Sequence, residues 1–127
     1  MFLVVMVLLL AVAGAAFASG LEVKQKAGEY NVEVKFDKNP AVSGDNSIEI
    51  EVKDASNQYV TDAKVRVDYT MPAMPGMPAM NYKTDATLSG RKYTARVNFS
   101  MSGSWNVAVK ITKGGKTSTV KFNVDAQ

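Results

Sequence analysis

The chain has 127 residues, of which 46% are hydrophobic and 21% are charged, and it carries a formal net charge of +3. That length predicts a single domain, large enough to bury a core without disulfides. The sequence has no cysteine and no histidine, which excludes thiolate and histidine-activated nucleophiles and zinc sites built from imidazole or thiolate. The basic and acidic residues are interspersed, so there is no basic stripe of the kind that binds nucleic acid.

The first eighteen residues form an apolar, uncharged segment that ends at Ala16-Phe17-Ala18, a small-x-small site of the kind signal peptidase cuts. A helix that crosses a membrane needs about 20 apolar residues, and polar sequence begins here at Ser19. We therefore expect residues 1–18 to be a signal peptide and residues 19–127 to be the mature domain, without a membrane span. The segment lacks an early lysine or arginine, which leaves a misplaced start codon or an uncleaved membrane anchor as alternatives. An exported domain without cysteine fits the periplasm or outer surface of a bacterium.

Apolar residues recur at every second position from Leu21 onward, which is the period of a β-strand with one buried face. Lys113-Gly114-Gly115-Lys116 predicts a hairpin, because adjacent glycines accept the positive φ of tight turns. Clear strands are expected around residues 32–36, 48–52, 65–69, 93–99, 105–111 and 120–124, and weaker ones at 21–26 and 82–88.

Short strands separated by turn residues, with no helical pattern, are typical of an antiparallel sandwich. We predict an all-β fold, an immunoglobulin-like antiparallel β-sandwich of about seven strands. Tyr93 lies two positions before the inward Ala95, where such sandwiches place a tyrosine whose hydroxyl ties down a loop. An ordinary half-buried aromatic side chain is the equal alternative at this position. Trp105 lies in an inward phase, which predicts a core position.

Three stretches carry a resemblance to a known family, with a methionine-proline segment after the first: Asp62-Ala63-Lys64-Val65-Arg66-Val67, Gly90-x-x-Tyr93-x-Ala95-x-Val97 and Gly103-Ser104-Trp105-x-Val107-x-Val109. In this order and spacing they resemble the YtkA-like domain, which is related to FixH-type periplasmic domains. The resemblance covers roughly residues 27–124. It implies a small exported sandwich, free-standing or attached to metal-efflux adaptors and respiratory-assembly proteins, and it therefore implies those proteins as partners.

Catalytic residue types are scarce in this sequence. The aspartates and glutamates are scattered singly on outward strand positions, and no pair is marked as a facing acid and base. Histidine, the usual proton carrier near neutral pH, is absent. We therefore expect the chain not to be an enzyme.

The segment MPAMPGMPAM has a proline after each of its first three methionines and a methionine at every third position, namely Met71, Met74, Met77 and Met80. Proline disfavours helix at the residue before it, so the segment is expected to be extended. Pro75-Gly76 is the preferred central pair of a type II turn, because proline fixes φ at the first position and glycine supplies positive φ at the second. Such a turn brings Met74 and Met77 together and lets Met71 face Met80.

Thioether sulfur is a soft, neutral ligand that selects Cu(I) over hard ions and also accepts Ag(I). We therefore predict that this loop binds Cu(I) or Ag(I) as an accessory in periplasmic metal handling, through Met71, Met74, Met77 and Met80. The absence of histidine argues against Cu(II). The alternative is a metal-free docking module that uses the same loop, since methionine is a flexible filler of adaptable binding surfaces. Met71 and Met101 also continue the inward phase of neighbouring strands, which makes each of them a candidate core residue.

Overall fold

The computed structural model describes residues 22–38 and 40–127, and it folds them into nine β-strands. The expected signal peptide, residues 1–18, lies outside these residues and stays a prediction. None of the described residues forms a helix that could cross a membrane. The strands are β1 (Glu22–Ala27), β2 (Tyr30–Phe36), β3 (Gly44–Lys53), β4 (Lys64–Met71), β5 (Met80–Asp85), β6 (Thr87–Ser89), β7 (Lys92–Phe99), β8 (Gly103–Lys113) and β9 (Lys116–Ala126).

The strands form two antiparallel sheets that pack on each other. One sheet has five strands in the order β1-β2-β3-β7-β6, and the other has four in the order β5-β4-β8-β9. The prediction of an all-β antiparallel sandwich is confirmed. The predicted hairpin at Gly114-Gly115 is confirmed as well, since it joins β8 to β9, and both glycines have positive φ.

Burial in the strands follows the period of two seen in the sequence. In β8, every second residue from Trp105 to Ile111 is buried, and β2 shows the same alternation. Each fully buried valine, isoleucine or phenylalanine contributes about 1.5–3 kcal/mol relative to an exposed one. A core of this kind stabilises the domain without any disulfide.

The structure has nine strands where about seven were predicted. Both weaker candidates, residues 21–26 and 82–88, are strands, and residues 82–88, predicted as one strand, belong to two. β5 pairs with β4 in the four-stranded sheet, whereas β6 pairs with β7 in the five-stranded sheet. Ala86 lies between them and donates its N–H to the Val65 carbonyl at 2.9 Å. The chain therefore changes sheets at Ala86 while its apolar alternation continues, so the pattern alone does not reveal the change.

Four parts of the chain meet at one end of the sandwich, which we call the methionine end. Register places there the β4–β5 connection, the β7–β8 turn, the β2–β3 connection and the end of β9. Gln127 joins two of these parts, because it donates its N–H to the Ala41 carbonyl at 2.8 Å and accepts the Ser43 N–H at 3.0 Å. The methionine segment therefore sits on an end of the sandwich that is closed by backbone hydrogen bonds.

Tyr93 fastens the opposite half of the fold. Its side chain is 2% exposed, its hydroxyl donates to the Val60 carbonyl at 2.9 Å, and the Ala63 N–H donates to the same hydroxyl at 3.1 Å. The prediction that this hydroxyl ties down a loop is confirmed. The loop is the β3–β4 connection, far upstream in sequence, and not the nearby loop that an immunoglobulin tyrosine corner holds.

Replacing Tyr93 by phenylalanine removes both hydrogen bonds and leaves the buried Val60 carbonyl without this partner. We expect Tyr93→Phe to lower the free energy of unfolding by about 1–3 kcal/mol in urea titrations at neutral pH. Burial raises the pKa of the Tyr93 hydroxyl. The protonated hydroxyl therefore stabilises the fold fully at pH values below the pKa that the tyrosine has in the unfolded chain. This stabilisation is lost as the pH rises through the pKa that the tyrosine has in the folded protein. The stability difference between the two proteins should therefore shrink above pH ~10. A difference that stays constant with pH would contradict this role of the hydroxyl.

Candidate functional site

The methionine segment, residues 71–80, forms the tip of the β4–β5 hairpin, and we call this tip the methionine hairpin. Met74 donates its N–H to the Met77 carbonyl at 2.9 Å, and Met77 donates its N–H to the Met74 carbonyl at 2.8 Å. Pro75 and Gly76 are the two loop residues between them, and Gly76 has a φ of +81°. Proline at the first central position with positive φ at the second defines a type II turn. The turn predicted from the sequence is confirmed.

A second methionine pair lies further along the two arms. Met71 ends β4, Met80 begins β5, and the two residues are direct partners in the ladder. Side chains of directly opposed residues in an antiparallel ladder share one side of the sheet. The hairpin therefore carries two facing pairs, Met74 with Met77 at the turn and Met71 with Met80 at the strand ends.

The hairpin methionines differ strongly in their access to solvent. Met71 is only 2% exposed, and its Cε lies 2.9 Å from the position that a Cβ on Gly103 would occupy. Met74 is 43% exposed. Met77 and Met80 are half-buried. The structure thus places Met71 in the core, the alternative that its inward phase predicted, and leaves three hairpin methionines in contact with solvent.

The sulfur of Met80 has a polar partner that no motif in the sequence predicts. Ser100 donates its hydroxyl hydrogen to Met80 Sδ at 3.4 Å, and the Tyr82 hydroxyl donates to Ser100 Oγ at 3.5 Å. Thioether sulfur is a weak acceptor, so this contact orients the Met80 side chain only weakly. The only sequence signal for this chain of contacts is that Tyr82 has the same strand phase as Met80.

Met101 and Trp105 lie at the same end of the molecule. Met101 is half-buried against the core, and its carbonyl accepts the Trp105 Nε1–H at 3.0 Å. Trp105 is completely buried. The predicted core position of Trp105 is confirmed, whereas Met101 only packs against the core and keeps partial contact with solvent. All five methionines in the described residues therefore belong to this end of the sandwich.

Four aromatic rings pack against one another below the hairpin. Their centroid separations run from 5.2 to 6.1 Å. Tyr69 is buried, its hydroxyl accepts the Asn98 N–H at 3.4 Å, and this bond joins the two sheets. Such aromatic contacts stabilise by about 0.5–1.5 kcal/mol each beyond the area they bury. The four rings pack the strand ends from which the hairpin projects. They belong to Tyr69, Tyr82, Phe99 and Trp105.

A cleft of about 310 Å³ opens between the hairpin and the start of β8. Met71, Pro72 and Met74 line it from the hairpin, and Ser102, Gly103, Ser104 and Asn106 line it from the β7–β8 turn and β8. The exposed Met74 therefore borders a partly apolar hollow as well as open solvent.

Carboxylates give no comparable site in the described residues. No group of three or more histidine, cysteine, aspartate or glutamate side chains in residues 22–38 and 40–127 is placed to hold a metal ion. Asp68 forms ion pairs with Arg66 and Lys110, each at 3.0 Å. Burial acts to raise the pKa of Asp68, but hydrogen bonds from these two cations outweigh it and hold the pKa below its usual value. Asp68 is therefore ionised and paired on a sheet face. That the chain is not an enzyme stays a prediction.

Comparison with known proteins agrees with the resemblance seen in the sequence. No curated protein and no solved structure matches the chain. The family model described as YtkA-like matches residues 24–110, a stretch that begins in β1, ends in β8 and includes the whole methionine hairpin. Such domains are small and of periplasmic type. The chain belongs to the YtkA-like family.

Proposed function

We propose that the methionine hairpin binds Cu(I) or Ag(I) through thioether sulfur, and that the domain serves as an accessory in periplasmic metal handling. The observation that carries this proposal is the pairing of Met74 with Met77 across the Pro75-Gly76 turn. The two methionines lie side by side, and Pro75 and Gly76 determine the conformation of the backbone that carries them. Metal-efflux or respiratory-assembly proteins are the partners that fit such a role.

Because the backbones of Met74 and Met77 are paired, their two sulfur atoms are only a short distance from meeting at one ion. Residues that exchange both hydrogen bonds in an antiparallel pair have Cα atoms about 5.5 Å apart, with their side chains on one side. Methionine has three rotatable side-chain bonds, so two neighbouring sulfurs readily turn toward one ion. Binding then orders only side chains, because the hydrogen bonds between Met74 and Met77 already fix the backbone.

The other two methionines contribute unequally to the proposed ligand set. A step of three residues reverses the side of a regular strand, so register alone does not place the Met71–Met80 pair beside Met74 and Met77. Residues 78–79 lie outside the ladder, so they do not have to keep the geometry of a regular strand between Met77 and Met80. Met80 is half-buried and so keeps some contact with solvent, and we assign it as the third ligand. Met71 is 2% exposed and would have to leave the core to bind an ion. We therefore assign Met71 to the wall behind the site.

The charge of the hairpin favours a monovalent ion. Residues 71–80 include no charged side chain, and thioether ligands are neutral at every pH. A divalent cation would meet no compensating charge from the hairpin itself, and burying an uncompensated charge is costly. Thioethers need no deprotonation before they bind, so the affinity of this site should depend little on pH.

A metal-free docking function is the second candidate, and a specific observation favours it. Met74 is 43% exposed and Tyr82 is 41% exposed, and both belong to the β4–β5 hairpin. Met74 also borders the cleft beside Met71 and Pro72, and contiguous apolar surface marks protein-binding sites more often than isolated side chains do. Docking of this kind would depend on apolar bulk and not on sulfur.

Replacing Met74 and Met77 together by leucine keeps the apolar bulk and removes both sulfurs. We expect the double variant to lose at least about tenfold in Cu(I) affinity, or about 1.4 kcal/mol, in a competition titration with a Cu(I) chelator under reducing conditions. Met71→Leu is the matched control, because it removes a hairpin sulfur that the core already encloses, and its affinity should stay close to that of the wild type.

The metal proposal fails if the wild-type protein does not compete at micromolar concentrations, or if the double leucine variant competes equally well. Retained binding of a protein partner by the double variant would then favour the docking function.

Gly76 tests whether the turn organises the ligands. Gly76→Val penalises the positive φ of +81°, whereas Gly76→Asn is the matched control, since asparagine tolerates this conformation. A Cβ at this position meets no atom within 4 Å, so the positive φ, and not a contact of the Cβ, distinguishes the two variants. We expect the valine variant to bind Cu(I) more weakly than the asparagine variant in the same titration. Equal affinity of the two variants would show that the sulfurs do not depend on the turn.

A further inference from the structure

The hairpin methionines are also potential reaction sites for oxidants. Thioether sulfur reacts with oxygen-transferring oxidants to give methionine sulfoxide, and its susceptibility follows exposure. The chain has no cysteine, so no thiol competes for the oxidant. The hairpin offers sulfur atoms in graded environments, from Met74 at 43% exposure to Met71 at 2%.

We propose that Met74 is an oxidation site, which hydrogen peroxide or hypochlorous acid converts to the sulfoxide ahead of the other hairpin methionines. We further propose that this modification turns off soft-metal binding at the hairpin. The order of oxidation stands on the structure alone, whereas the effect on metal rests on the proposed function.

The chemistry needs no group beyond the sulfur and the oxidant. A sulfur lone pair attacks one oxygen of hydrogen peroxide, an S–O bond forms, and the O–O bond breaks. The departing hydroxide takes the remaining peroxide proton and leaves as water. Sulfur loses two electrons and the peroxide gains them. Access to the sulfur and the availability of its lone pair therefore set the rate at each methionine.

Those two factors differ along the hairpin. Met74 has the most exposed side chain of the four hairpin methionines, and its backbone pairs with Met77 across the turn. Met80 is half-buried, and the hydroxyl of Ser100 donates a hydrogen bond to its sulfur, which draws on the electrons that attack the oxidant. Met71 packs its methyl group against Gly103, and a polar sulfoxide there would lie in the core. The expected order is Met74 first, Met77 and Met80 next, and Met71 last.

The same exposure explains why oxidation at Met74 leaves the fold intact. A sulfoxide is polar, and at a side chain that already contacts water it disrupts no packing. It replaces a soft sulfur donor by a harder oxygen, which Cu(I) and Ag(I) bind poorly. Enzymes that reduce methionine sulfoxide reverse the modification, so the hairpin would regain its ligands without refolding.

The order of oxidation is tested by treating the metal-free protein with increasing hydrogen peroxide and mapping each methionine by mass spectrometry of proteolytic peptides. We expect Met74 to react ~10-fold or more faster than Met71 and ahead of Met77 and Met80. Far-ultraviolet circular dichroism of the treated protein should keep its β spectrum. Equal rates at Met71 and Met74, or prior oxidation of Met77 or Met80, would overturn the assignment of Met74.

The effect on metal is tested by Cu(I) competition on protein oxidised only as far as Met74. Oxidation should lower Cu(I) affinity at least about tenfold. Unchanged affinity of the oxidised protein would overturn the switch while the order of oxidation stands. If the untreated protein binds no Cu(I), the proposed function and the switch both fail, and the peptide map still decides whether Met74 is the preferred oxidation site.

Discussion

The packed interior between the two sheets determines where the strand ends and the loops of this domain lie. The chain has no cysteine, and its described residues form no helix, so alternate side chains from both sheets must supply the stability. Trp105 is completely buried at the methionine end, with its ring 5.2 Å from that of Phe99 and its indole N–H bound to the Met101 carbonyl. This packing fixes the strand ends from which the hairpin projects. The methionine hairpin is therefore the continuation of a packed core.

That continuity explains why residues with the same pattern in sequence have different roles. Met71 and Met80 are direct partners in the ladder, yet Met71 is buried against Gly103, whereas Met80 keeps partial contact with solvent. β4 is an inner strand of its sheet, and β5 is an edge strand with few neighbours. An edge strand can expose a sulfur that an inner strand must enclose. The proposed ligands accordingly lie at the turn and on the edge strand.

Much of this arrangement followed from local physics. A buried sheet face requires a period of two, so the strands were predictable, and Pro75-Gly76 restricts its own backbone angles, so the turn was predictable as well. The change of sheet at Ala86 was not, because apolar alternation is identical whichever sheet a strand joins. The hydrogen bond from Ser100 to Met80 and the distant loop held by Tyr93 also join residues far apart in sequence. No local pattern encodes such contacts. The identity of the ligand set at the hairpin rests on sulfur chemistry and stays a prediction.

X-ray absorption at the copper edge measures whether thioether sulfur coordinates the ion. The Cu(I)-loaded protein should be measured beside the variant in which Met74 and Met77 are both leucine. The proposed site predicts a first shell of sulfur in the wild type and fewer sulfur neighbours, or no bound copper, in the variant. A first shell of nitrogen or oxygen in the wild type, or a sulfur shell that the double substitution leaves unchanged, would contradict it.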